Sequence, residues 1–159
     1  METITLFDLI GQEIVDLRYH YISENEYGLQ SFYAYIKLSE GVIIDIPHHL
    51  DNEYQQKAGE KQNYFETQYR TGYLADGDNK SQFEGQKIID FHFCYYDNEI
   101  EDDTSCYIQL SNGYYLTENN YGPPGITNID LVILSEEEFL AEAKLNDIRS
   151  FLKTAPQEE

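Results

Sequence analysis

The side chains best suited to chemistry are carboxylates, and they are unevenly spread. Asp97, Glu99, Glu101, Asp102 and Asp103 put five acids into seven positions, and Glu24 and Glu26 form a smaller group in a similar local context. Between residues 83 and 134 there are nine acidic side chains against the single base Lys87. Like charge concentrated on a folded scaffold repels itself, and a basic partner relieves that repulsion. Tyrosines at 95, 96, 107, 114, 115 and 121 surround the block. Tyrosine gives large contact area at small rotamer cost, which is why it is common in protein interfaces. The candidate partner-binding residues are therefore Glu24, Glu26, Tyr96, Asp97, Glu99, Glu101, Asp102, Asp103 and Tyr114.

Other constellations are weaker. His48 and His49 are adjacent, so on an extended chain their rings point to opposite sides and share a metal poorly. His20, His92, Cys94 and Cys106 would make a zinc set only under one particular strand pairing, and buried cysteines commonly serve as small apolar groups. Asp76-Gly77-Asp78-Asn79 lacks the rest of a calcium loop and reads as an acidic turn. There is no glycine-rich phosphate loop, nucleophile elbow, CxxC or HExxH. The expectation is a non-enzyme that uses no metal and no cofactor. The alternative is a small-ligand or metal-binding β module, or an enzyme, that uses the carboxylates and His92. A third reading is self-association of a tyrosine-rich sheet into a homo-oligomer.

The elements that must hold these residues carry a repeated pattern. A shift of 74 aligns Gly11, Gln12, Ile14 and Asp16 with Gly85, Gln86, Ile88 and Asp90. A shift of 72 aligns Tyr35, Ile36, Leu38, Ser39 and Gly41 with Tyr107, Ile108, Leu110, Ser111 and Gly113. The two-residue slip falls in the acidic stretch, where loops tolerate insertion. Two related β-meanders are predicted, over about residues 11–46 and 85–118. Val15, Leu17, Tyr19 and Tyr21 should be core in the first, and Ile89, Phe91, Phe93 and Tyr95 in the second. Another strand is predicted from Ile129 to Leu134, after the turn signal Gly122-Pro123-Pro124-Gly125. The polar stretch from Asp51 to Ser81 reads as a long excursion.

Ser135 and Glu138 form a capping box, with Ala141, Leu145, Ile148 and Leu152 spaced as one apolar stripe. This predicts a C-terminal helix over about 136–153, packed on the sheet. The fold class is α+β: one domain over 1–159, with a mostly antiparallel sheet of two related meanders and that helix.

Composition limits the partners. The chain has 159 residues, 10 Lys+Arg against 30 Asp+Glu, and a formal charge of −20, which repels nucleic acid and anionic membranes. Fifteen Tyr and eight Phe supply the apolar area that an acidic chain needs in order to fold. The start METITLFDLI lacks the basic and long apolar regions of a signal peptide, and no stretch reaches the roughly 18 apolar residues of a membrane span. Two cysteines are too few for a disulfide framework and fit a reducing, cytoplasmic setting.

In size, acidity and tyrosine content, and in the run LSNGYYLTENNYGPPGITNIDLVILSEEEF, the chain resembles the immunity proteins of bacterial polymorphic and contact-dependent toxin systems. That resemblance implies a cytoplasmic protein that neutralises a basic cognate toxin, often a nuclease, by covering its active or substrate-binding surface. It assigns no residue roles.

Overall fold

The computed structural model describes residues 3–22, 31–44, 46–47, 54–55, 70–71, 83–100, 106–120 and 129–154. Outside them lie Glu24, Glu26, His48, His49, Asp76 to Asn79, Glu101, Asp102, Asp103, Tyr121 and the turn Gly122 to Gly125.

The fold is α+β with mostly antiparallel sheets. In chain order the elements are β1 (Thr3–Ile4), α1 (Leu6–Leu9), β2 (Ile14–Ile22), β3 (Ser31–Leu38), β4 (Ile43–Ile44), β5 (Tyr54–Gln55) and β6 (Arg70–Thr71). There follow β7 (Ile88–Tyr96), β8 (Glu99–Ile100), β9 (Tyr107–Leu110), β10 (Tyr115–Asn120), β11 (Ile129–Leu134), α2 (Glu136–Leu145), β12 (Asp147–Ser150) and α3 (Phe151–Thr154). One sheet has the order β4-β3-β2-β6 and a second the order β11-β10-β9-β7-β12, with β8 also on β7; β1 and β5 form a separate pair.

The β-rich runs IVDLRYHYI and IIDFHFCYY form β2 and β7 because branched and aromatic side chains pack well on a pleated surface. Both strands begin with the same irregularity. Ile14 pairs Leu38 and Asp16 pairs Lys37, so Val15 is extra; Ile88 pairs Leu110 and Asp90 pairs Gln109, so Ile89 is extra. A one-residue bulge shifts which side chains face the core. Val15 and Ile89, expected in the core, are 52% and 40% exposed, while Ile14 and Ile88 are fully buried in their place. The aspartate after each bulge caps the disturbed backbone: Leu17 N–H donates to Asp16 Oδ1 at 2.8 Å and Phe91 N–H to Asp90 Oδ1 at 2.7 Å.

The two strand starts also bind each other. Gly11 N–H donates to Ile88 O and Gly85 N–H to Ile14 O, both at 2.8 Å. Ile14 N–H donates to Gln86 O and Ile88 N–H to Gln12 O, both at 2.9 Å, around a bridge between Glu13 and Lys87. Gly11 and Gly85 adopt φ of +92° and +80°, the left-handed region that residues with a Cβ disfavour. One buried cluster draws on both sheets, joining Ile14, Leu17, Ile36 and Ile44 to Phe83, Phe91, Phe93 and Ile108.

The C-terminus departs from the predicted single helix. The capping box forms as expected, with Glu138 N–H on Ser135 Oγ at 3.2 Å and Ser135 N–H on Glu138 Oε1 at 3.0 Å. The helix then ends at Leu145, and residues 147–150 become β12, antiparallel to β7. The apolar stripe is therefore broken: Leu145 is 83% exposed, Ile148 lies in a strand opposite Cys94, and Phe139 is the buried residue of α2. Asn146 and Asp147 are poor helix formers, and pairing with β7 supplies the backbone partners that another helical turn would have given.

Candidate interaction surface

The acidic block begins at the end of β7. Tyr95 pairs Ile100 and Tyr96 pairs Glu99, leaving Asp97 and Asn98 as a two-residue turn with φ of 52° and 66°. Positive φ at both central residues defines the type I′ geometry whose twist suits a hairpin, and Asp and Asn tolerate it best after glycine. The acidic block, expected as the loop between the first two strands of the second meander, thus begins as a two-residue hairpin turn. Tyr96 is 74% exposed, and Asp97 and Glu99 are exposed beside it.

The tip is tied to β12 through Arg149. Its Nη2 donates to Asn98 Oδ1 at 2.9 Å and to Asp147 Oδ2 at 2.8 Å, and Nε donates to Asp147 Oδ1 at 3.1 Å. The guanidinium carbon lies 4.3 Å from the centroid of the Tyr95 ring, a cation-π contact. The hydrogen bond from Arg149 holds the Asp147 carboxyl below its usual range.

Tyr107, Tyr114 and Tyr115 are less available than the sequence implied. Tyr115 is buried and stacks on Phe139 at 3.9 Å between centroids, and Tyr107 meets the same ring edge-on at 5.4 Å. Burial first, then the nearby Cys94 and Glu142, push the Tyr107 hydroxyl well above the usual phenol range. Burial, then Glu136 and Asp90, raise that of Tyr115. Tyr114 is half-buried, its N–H on Asn112 Oδ1 at 3.1 Å. Of the candidate partner-binding residues, the described structure brings Tyr96, Asp97 and Glu99 together and places Tyr114 by the separate β9–β10 turn.

His92, Asp90 and Ser150 meet beside β7, on the face that the alternation of IIDFHFCYY marks as the more polar one. Asp90 is instead buried, because β12, α3 and α2 cover that side. It accepts from Ser150 Oγ, and its Oδ1 also accepts from Leu152 N–H at 3.1 Å. His92 Nε2 is 2.8 Å from Gln109 Oε1 and 3.8 Å from Asp90 Oδ2, with its ring 5.0 Å from Phe139. The residue types are those of a hydrolytic triad but the wiring is not. The hydroxyl donates to the carboxylate, so no imidazole stands ready to take its proton. Cys106 belongs to the core cluster while Cys94 lies beside Tyr107, so these thiols do not converge on one ion. Among the described residues no group of three or more His, Cys, Asp or Glu is arranged to hold a metal. Among them, too, no helix is long and apolar enough to cross a membrane.

Sequence reasoning missed Arg149, Asn98 and Asp147. The pair Asp97-Asn98 between Tyr96 and Glu99 is a readable turn signal. Arg149 had none, since it reaches Asn98 across 51 residues of chain. No family model matches the chain, and no curated protein or solved structure matches it either.

Proposed function

We propose that the chain is an acidic protein-binding module that presents the β7–β8 hairpin and the acidic residues following it to a basic protein. An immunity protein neutralising a cognate toxin, a nuclease among the candidates, is the form of this role that the sequence resemblance suggests. One observation carries the reading: an exposed tyrosine and two exposed carboxylates sit on a braced two-residue turn, in a chain of charge −20. A surface built to bind phosphates is matched by fixed carboxylates, and opposite charge steers the encounter.

The scaffold beneath it is, on the same proposal, two copies of one meander related by a local twofold. The paired bulges, the paired glycines and the reciprocal bonds across Gly11 and Gly85 support this, as does the match of the two β-turns. Glu13 N–H bonds Ser39 Oγ at 3.1 Å where Lys87 N–H bonds Ser111 Oγ at 2.9 Å. The alternative, a polar-ligand or metal site using His92, has less support because Asp90 is already engaged by backbone and hydroxyl donors.

The test uses a basic partner, sought by pull-down with this chain or among the products of neighbouring reading frames. Replacing Asp97, Glu99, Glu101, Asp102 and Asp103 by Asn or Gln should slow association about tenfold at low salt and flatten its salt dependence. Circular dichroism should stay unchanged, since Asp97→Asn suits the left-handed turn. An unchanged association rate and salt slope would show the acidic face to be merely solvated.

A further inference from the structure

We infer that Arg149 is the positioning residue of this surface, setting the direction of the β7–β8 hairpin before any partner arrives. The inference rests on the reading of that hairpin as the binding surface. The hairpin needs outside support: β8 contributes only the pairs Tyr95–Ile100 and Tyr96–Glu99, and its turn holds two residues with a Cβ in the left-handed region. Arg149 supplies that support from a different strand.

Its backbone is held in register opposite Phe93, a core residue. From there its guanidinium spans Asn98 in the turn, Tyr95 on β7 and Asp147 on β12. The planar fork makes these contacts together, which a lysine ammonium on a flexible stem does not reproduce. The tip is thereby fixed to β12 while Tyr96, Asp97 and Glu99 stay exposed. Ordering the tip in the free protein removes an entropic cost from binding.

Three variants test this. In free protein, Arg149→Gln should speed amide hydrogen exchange across residues 96–100 about fivefold while Ile88 to Phe91 stay protected. Arg149→Lys should not restore protection. Asn98→Gly favours the turn backbone yet removes the carbonyl that Arg149 reaches, and should also loosen the tip. With the captured basic partner, Arg149→Gln should weaken binding despite making the chain more acidic, the opposite of what a pure charge effect gives. Unchanged exchange at the tip overturns the inference whatever the partner does. Faster exchange with unchanged affinity reduces Arg149 to a structural residue and overturns it as well. Full binding by the five-carboxylate variant sinks the proposed function and this inference together, and the exchange data from free protein then distinguish that failure from the failure of the brace.

Discussion

The two meanders begin alike and end differently. At their bulged ends the glycine and isoleucine N–H bonds of one have counterparts in the other, as do the bonds to the serine of the turn, although Gln12 and Gln86 take different partners. At the opposite end the first runs without a break from Asp16–Lys37 to Ile22–Ser31. In the second, β7 is paired by β9 only over Ile88 to His92 and by β8 over Tyr95 and Tyr96. The register changes between them. Flanking strands differ too, with two residues of β6 against β2 and the four-residue β12 against β7. The constrained end is where each meander is the other's partner, so any change there disturbs both. The differences collect at the far end, where loops tolerate them.

The largest test of that comparison concerns the shared core. Leu17 and Phe91 occupy matching positions and are both fully buried. Leu17→Ala should destabilise by about 3 kcal/mol and Phe91→Ala by about 4 kcal/mol. In both variants denaturant unfolding should remain a single transition, because the buried cluster draws on both sheets. Two separated transitions, one confined to the altered meander, would show two independent cores.

A smaller effect belongs to the second meander. Asp90→Ala would leave the Phe91 and Leu152 amides and the Ser150 hydroxyl without their shared acceptor, a loss of about 2–3 kcal/mol. Asp90→Asn keeps one acceptor oxygen and should lose less. Hydrogen exchange should show residues 147–154 loosening first. Uniform loosening of both sheets would show that Asp90 holds the bulge alone and not the C-terminal segment.

The pattern in the chain made much of this visible and hid specific parts. Alternation and glycine spacing revealed the strands, but a bulge adds one residue without any mark in composition, so Val15 and Ile89 were assigned to the wrong side. The capping box at Ser135 was legible because it is local. The end of α2 was not, because the competing interaction was pairing with β7, some 55 residues earlier in the chain. The hairpin tip lay in plain view as Asp97-Asn98, yet the acidic run reads as a single loop joining two strands, without the short β8 inside it. Its brace on Arg149 is a long-range contact that no local signal encodes.

The smallest expected effect is the sharpest on symmetry. Gly11 and Gly85 carry φ of +92° and +80°, and a Cβ at either would meet nothing within 4 Å. Substitution by alanine therefore adds backbone strain without a clash, about 1–2 kcal/mol at each site. If the two bends are equivalent, Gly11→Ala and Gly85→Ala should shift the denaturation midpoint by the same amount, within about 0.5 kcal/mol. Asparagine, which tolerates the left-handed region, should cost less than alanine at both positions. The double variant should depart from additivity, because the Gly11 N–H reaches Ile88 O and the Gly85 N–H reaches Ile14 O across one interface. A large loss at one glycine with none at the other would mean that one bend is dispensable. The reciprocal bonds would then be a resemblance of shape, not the two sides of one self-complementary contact.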